Sequence, residues 1–224
     1  MYVAGELVLD TAVYGFHQVD RLLGLSGGTA RRWIDGYERS GQSYEPVIRR
    51  EPTGVELVTW GEFVEAQLLA QYRSEGVPIN RMRPVVMRLR EELGIDYPLA
   101  WRKPFASMRE LVFDMQVATE LPGRLWIVER TGQLVLTPPA QGFYDQVSWH
   151  KSGYAERIHP LGHGHPVVFD PQRGFGEPVV GSIRTAIIAE QLRAGDSAEG
   201  LARDFGLTLD DIDAAATWEA SVAA

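Results

Sequence analysis

The stretch VDRLLGLSGGTARRWIDGY, residues 19–37, leaves the chain little freedom. Val19, Leu22, Leu23 and Leu25 form one apolar stripe, and Ala30, Trp33, Ile34 and Tyr37 form a second, both at helical spacing. GLSGG between them supplies a glycine stop at Gly24 and an N-cap at Ser26, so the spacing predicts two short helices joined by a tight turn. With Trp33 and Ile34 turned inward, Gly28, Thr29 and Arg32 line the opposite face, flanked by Arg31. A recognition helix puts such a face into a major groove. The same residues also fit a plain helical hairpin whose arginines are solvated.

The next segment favours a reader of DNA. PVIRREPTGVELVT, residues 46–59, has the pattern of a β-hairpin turning at Glu51 to Gly54, with Arg49 and Arg50 just before the turn, where a wing touches phosphate. Thr59 and Glu62 form a capping-box signature for a helix buried through Trp60, Phe63, Val64, Gln67 and Leu68. Helix, turn, helix, two-stranded wing and helix is the order of a winged helix-turn-helix.

Charge qualifies this reading without removing it. The chain of 224 residues carries a net charge of -8, which argues against nonspecific coating of nucleic acid. Residues 1–110 hold 14 basic and 15 acidic side chains, and residues 111–224 hold 8 and 15, so the acid sits in the second half. Nearly all the base is arginine, the side chain suited to bidentate recognition of phosphate or guanine. Cysteine is absent, which excludes disulfides, thiol nucleophiles and cysteine-based zinc sites. No apolar run approaches the roughly 20 residues of a membrane span, and the first residues lack the pattern of a signal peptide, so the expectation is a cytoplasmic protein with no membrane partner.

GFHQVDRLLGLSGGTARRWIDGY resembles the start of MerR-like winged-helix domains. GEFVEAQLLAQYRSEGVPINRMRPVVMRLREELGIDYPLA resembles the helical segment that comes after it in a group of bacterial antitoxin-like regulators; together they cover about residues 14–102. On its own pattern Ile79 to Leu93 is an amphipathic helix, with Met82, Val85, Val86, Leu89 and Leu93 inside and Arg81, Arg83, Arg88 and Arg90 outside. Those arginines fit a solvated face or a DNA-backbone contact equally well.

The period then changes. RLWIVERTGQLVLTP, residues 124–138, reads as a hairpin turning at Thr131 and Gly132, and HPVVFDP, residues 165–171, as a short strand, which predicts a small β layer. His159, His163 and His165 with Asp170 have the chemistry of a divalent metal site, and a metal hydrolase built on them is one reading. Glycine and proline crowd their spacing, however, and no nucleophile with a recognisable base is present, so neither a metal nor an enzyme is expected. Trp126, Phe143, Tyr144 and Trp149 are core residues or, in a ligand-responsive regulator without a toxin, the walls of a pocket.

Residues 181–220 divide into three helices. The first carries Ile183, Ile187, Ile188 and Leu192 and stops at Gly195. The second opens on Asp196 and Glu199, buries Leu201, Ala202 and Phe205 and stops at Gly206. The third opens on Thr208 and buries Leu209, Ile212, Ala215 and Ala216. The order is again that of a helix-turn-helix, but the third helix exposes Asp210, Asp211, Asp213 and Glu219 with no basic residue, so it faces protein rather than phosphate. So small a unit buries too little alone, and a homodimer through Ile183, Ile187, Leu209 and Ile212 is expected to correct that.

FGEPVVGSIRTAIIAEQLRAGDSAEGLARDFGLTLDDIDAAATWE, residues 175–219, resembles the small domain, formerly of unknown function, of bacterial antitoxins whose toxins are PIN-domain ribonucleases. The two resemblances imply a VapB-type antitoxin: a cytoplasmic homodimer, not an enzyme and without a cofactor, that binds operator DNA and neutralises its ribonuclease. PIN nucleases hold Mg²⁺ or Mn²⁺ with clustered carboxylates, and antitoxins of this type commonly present an arginine to them. By elimination Arg157, Arg173 and Arg184 are the candidates. The expected architecture is α+β and mainly α: a winged helix-turn-helix with following helices over 1–110, a β-containing segment over 111–173 and a three-helix domain over 174–224.

Overall fold

The computed structural model describes residues 4–106, 117, 127–130 and 133–223. Its mixed helix and short-strand content fits the expected α+β class. The chain divides into two units, residues 1–145 with 149–155 and residues 146–148 with 156–224, rather than the three segments read from the sequence. The reason is strand pairing: residues 167–168 and 179–180 are neighbours in one sheet, so a boundary at 173 would cut it.

In the first unit α1 (Ala4–Leu9) leads to β1 (Ala12–Gly15), which pairs antiparallel with β4 (Leu57–Thr59), Tyr14 opposite Val58. Between them lie α2 (Phe16–Leu22), α3 (Thr29–Ile34) and an antiparallel ribbon of β2 (Tyr37–Arg39) and β3 (Gln42–Tyr44). The hairpin expected at 46–59 does not form. Residues 49–56 are irregular, β4 pairs with β1, and the ribbon comes earlier. Its turn is Ser40 and Gly41, at φ 53° and 77°, the positive pair of a two-residue turn that matches strand twist. Tyr37 and Tyr44 stack across it with ring centres 4.5 Å apart.

The centre of this unit is α4 (Trp60–Ser74). The capping box forms as its spacing predicts, Glu62 N–H donating to Thr59 Oγ1 at 3.2 Å and Thr59 N–H to Glu62 Oε2 at 2.9 Å. Trp60, Phe63, Val64 and Leu68 are all fully buried. At about 1.5–3 kcal/mol for each such side chain, burial outweighs helix propensity here and fixes α4 as the core. Trp60 also donates Nε1–H to the carbonyl of Ala155 at 2.8 Å, which satisfies the one polar atom it takes inside.

A 3₁₀ turn (Ile79–Met82) buries Met82 and precedes α5 (Arg83–Leu93), which buries Val85, Val86 and Leu89 as expected, while Leu93, expected inside, is half-buried. Arg90, expected outside, is 3% exposed. It donates to the carbonyls of Asp96 and Ile48 at 2.6 and 2.7 Å and lies 3.7 Å from Glu65, which is wholly buried. Burial raises the Glu65 carboxyl to about 8, against the opposing pull of Arg90 and the Leu99 N–H. A second 3₁₀ turn (Pro98–Ala100), α6 (Lys103–Ala106), the antiparallel pair β5 (Ile127–Arg130) and β6 (Gln133–Leu136), and α7 (Pro138–Gln146) complete the described part. Phe143, Tyr144 and Trp149 form an aromatic cluster with Phe105, centres 5.5 to 6.3 Å apart; Phe143 is core, while Tyr144 and Trp149 pack on it half-buried. Trp126 and the turn at 131–132 lie outside the described residues.

The chain passes to the second unit within strands β7 (Val147–Trp149) and β8 (Ala155–Ile158). There β9 (Val167–Val168), β10 (Val179–Val180) and β11 (Ile183–Arg184) make a small antiparallel sheet, followed by α8 (Thr185–Ala194), α9 (Ala198–Phe205) and α10 (Leu209–Ala223). Both glycine stops fall where the spacing puts them. The cap of α9 is Ser197, whose Oγ accepts from Gly200 N–H at 3.1 Å, one residue beyond the expected Asp196. Thr208 caps α10, accepting from Asp211 N–H at 3.1 Å. No helix among the described residues is long and apolar enough to cross a membrane.

Candidate nucleic-acid and partner interfaces

The α3 helix is short, and what holds it comes from α2. The buried Asp20 carboxylate accepts from the N–H groups of Gly28 and Ala30, both at 2.7 Å, placing a negative charge on the helix start. This replaces the cap expected of Ser26. A residue eight to ten positions upstream does the work, and nothing in local spacing marks it. Gly28 sits at φ 76°, so it is the turn into α3 that requires glycine there.

Thr29 is fully buried, not on the open face; its Oγ1 accepts from Arg32 Nη2 at 2.8 Å. It aims Arg32 rather than meeting a base itself. Arg31 and Arg32 are exposed, as predicted. Arg31 passes over the Phe16 ring and lies 3.5 Å from Glu56, itself 78% exposed. Such an exposed pair contributes little and is easily exchanged for phosphate. Arg31 also lines a groove of about 390 Å³ with Tyr37, Glu38 and Ser43, which brings the ribbon beside α3.

Arg49 departs from expectation. Its guanidinium is 9% exposed and lies 2.7 Å from Asp35 and 2.6 Å from Glu62. It also donates to Thr53 Oγ1 and to the carbonyls of Val55 and Leu57. With its donors so engaged it holds the loop 49–57 to α3 and α4 and has nothing left for phosphate. Burial alone would raise the Asp35 carboxyl, but hydrogen bonds from Thr53, Arg49 and Gly54 overcome it and hold the carboxyl below the usual range. Arg83 is likewise spent on the carbonyls of Pro46, Arg49 and Arg50. Arg50 is the exposed member of its pair, at 59%, with Asp96 3.6 Å away and exposed too. Arg39, at the ribbon tip, is a basic residue that sequence reasoning missed; the Ser40-Gly41 dipeptide is the signal that could have placed it.

In the second unit the buried Asp170 carboxylate binds Arg157 Nε at 3.0 Å, Arg173 Nε at 3.4 Å and the Gln172 N–H at 2.9 Å. Two of the three candidate arginines are thus tied to one acid. Arg184 is exposed and shows no carboxylate partner among the described residues. Beside it Phe175 is 85% exposed and held at φ 57°, ψ 38°, a left-handed conformation that a bulky residue adopts at a cost. A Cβ on the neighbouring Gly174 would sit 2.7 Å from Val179 Cγ1 and 3.0 Å from Arg184 Cγ, so glycine lets the arginine stem lie close.

Of the expected dimer residues, Ile183 and Ile187 are half-buried and Leu209 is 50% exposed. Ile212 is 1% exposed, enclosed by its own unit, and is not available to a second copy. His159 and His163 lie with ring centres 4.1 Å apart, and His159 Nε2 meets Ser148 Oγ at 2.9 Å. Asp170 belongs to its arginines, and no group of three or more acids and histidines among the described residues is placed to share a metal ion.

Residues 167–218, the three-stranded sheet and three helices, match the family described as a protein of unknown function, DUF433. Over nearly its whole length the chain is similar to two proteins of Mycobacterium tuberculosis. It is 37% identical over 214 residues to the uncharacterized protein Rv2308, covering 92% of this chain and 89% of that one. It is 30% identical over 224 residues to the protein named putative antitoxin VapB45, covering 92% and 93%. The chain belongs to the family of these two mycobacterial proteins. The crystal structure of Rv2018 from the same organism superposes with a TM-score of 0.71 at 28% identity, over 92% of this chain and 98% of the other.

Proposed function

We propose that this chain is the antitoxin of a type II toxin–antitoxin pair, which binds and silences a PIN-domain ribonuclease and represses its own operon. The observation that carries the reading is the 30% identity to putative antitoxin VapB45 across nine-tenths of both chains. As an antitoxin it is a non-enzymatic regulator with a protein partner.

In this reading the first unit works as a winged helix-turn-helix, with α3 in the major groove, Arg32 on a base edge, Arg31 and Arg50 on the backbone and the β2–β3 ribbon as the wing. Support comes from the order of elements and from arginines that stand clear of the acids and carbonyls occupying Arg49 and Arg83. The ribonuclease meets the second unit at the Phe175 loop. An aromatic side chain held out in solvent, beside an arginine with no carboxylate partner among the described residues, suits a partner whose apolar rim surrounds a carboxylate cluster. The exposed Leu209 and the half-buried Ile183 and Ile187 are available to a second copy.

Co-expression with the PIN-domain ribonucleases of the same genome, one at a time, tests the reading. Expected are rescue of growth and a stoichiometric complex on purification with one of them; growth arrest with no complex for every one overturns it.

A further inference from the structure

The chain has only two lysines, Lys103 and Lys151, against 20 arginines. They lie far apart in sequence, yet both line one cleft of the first unit, of about 520 Å³. Arg102 and His150 line it as well, and its remaining described walls are Trp101, Trp149, Leu93, Ile95, Ser152 and Gly153, with no acidic residue among the described ones. In a chain of net charge -8 such a gathering of cations is out of keeping with the surroundings. Asp10 and Asp96 line a separate, smaller cleft that shares Ile95 and Trp101.

Each wall is held from behind. Trp101 meets Tyr154 edge-on at 6.2 Å and bridges it through the backbone, while the Arg102 N–H donates to the Gly153 carbonyl at 2.7 Å. Arg102 Nε donates to Tyr144 Oη at 2.8 Å, and Trp149 rests on the Phe105, Phe143 and Tyr144 cluster. His150 stacks on Tyr154 at 4.5 Å and accepts from the Ser152 N–H at 3.1 Å. Two half-buried indoles on fixed supports, each with part of its surface on the cleft, are stacking surfaces. Lys103 and Lys151, exposed and with no carboxylate partner among the described residues, are point charges on flexible stems, of the kind that bind phosphate.

We propose that this cleft binds a free nucleotide: a planar ring against the indoles of Trp101 and Trp149 and a phosphate group between Lys103 and Lys151. The volume falls within the roughly 300–1,000 Å³ of small-molecule sites. A bounded cleft, rather than a track along the surface, favours a single nucleotide over a strand. None of its walls belongs to the toxin or operator surfaces proposed above.

Isothermal titration of the full chain with ADP tests it, with inorganic phosphate and a short oligothymidylate as the other two titrants. Saturable ADP binding is expected, weakened about tenfold or more in the Lys103→Ala/Lys151→Ala double variant, which keeps the parent melting temperature because both side chains are exposed. Trp101→Leu is expected to lose ADP affinity while phosphate binding stays as weak as before. No saturable heat with ADP, or equal affinity in the double variant, overturns the site. Phosphate binding as tightly as ADP removes the ring from the proposal, and an oligonucleotide that binds more tightly than ADP makes the cleft a strand-binding surface and overturns the free-nucleotide assignment.

Discussion

Arg49 and Arg50 stand side by side in the sequence and in opposite environments. Replacing Arg49 by alanine strands the carboxylates of Asp35 and Glu62, each with 7% side-chain exposure. Loss of one partner of a buried pair costs about 3–5 kcal/mol, so Arg49→Ala is expected to lower the unfolding midpoint sharply, whereas Arg50→Ala should stay within about 0.5 kcal/mol. Denaturant titration of both variants checks this; equal midpoints would remove Arg49 from its structural role. For DNA the order reverses. Arg32→Ala is expected to weaken operator binding by about 1–3 kcal/mol and relax specificity, while Arg50→Ala weakens binding to every sequence and lowers the salt slope by about one unit. Fluorescence anisotropy over a salt series separates the two. That Arg49 would be spent on structure was not legible: its acids lie 14 and 13 positions away, and local spacing carries no sign of them.

At the level of elements, the helices with strong punctuation were legible and the short strands were not. The Thr59 and Glu62 box, the stops at Gly195 and Gly206 and the stripe of α5 follow from periodicity and end signals within one or two turns of chain. The pairing of β4 with β1 joins residues more than forty positions apart, and three-residue strands hold too little alternation to declare a partner. The candidate site divided the same way: the exposure of Arg31 and Arg32 was legible from the stripe opposite them, whereas that of Phe175 was not, since it depends on a backbone conformation no motif announces. Phe175→Ala and Arg184→Ala are each expected to weaken capture of the ribonuclease at least about tenfold, as truncating an interface anchor does, with operator affinity unchanged. Titration of each variant against the purified toxin decides; wild-type affinity in both moves the contact elsewhere.

Across the whole molecule the two units are expected to answer pH in opposite directions. Glu65 in the first has its carboxyl raised from an ordinary 4.5 to about 8 by burial, so the folded state holds a proton that the unfolded chain has released. Its contribution is complete below 4.5 and is lost as pH rises toward 8. His159 in the second is pushed below its ordinary 6.5, first by burial and then by His163 and Arg157, so its contribution is present above 6.5 and is lost as pH falls. Hydrogen exchange compared at about pH 5.5 and about pH 8, corrected for intrinsic rates, should show protection falling in the first unit and rising in the second. Glu65→Gln flattens the first response alone; an unaltered pH dependence in that variant would detach it from this carboxyl.

The placement of both lysines on one cleft reaches into covalent chemistry. Arginine does not acylate under physiological conditions, so any acetyl transfer, carbamylation or isopeptide linkage at a side-chain amine of this chain falls on Lys103 or Lys151 and nowhere else. A single modification event neutralises half the ammonium charge at the cleft, and a molecule seated there shields the whole side-chain amine inventory of the protein. Labelling yield at Lys103 and Lys151 with an amine-reactive ester, read separately from that at the α-amine, is therefore a gauge of whether the cleft is occupied.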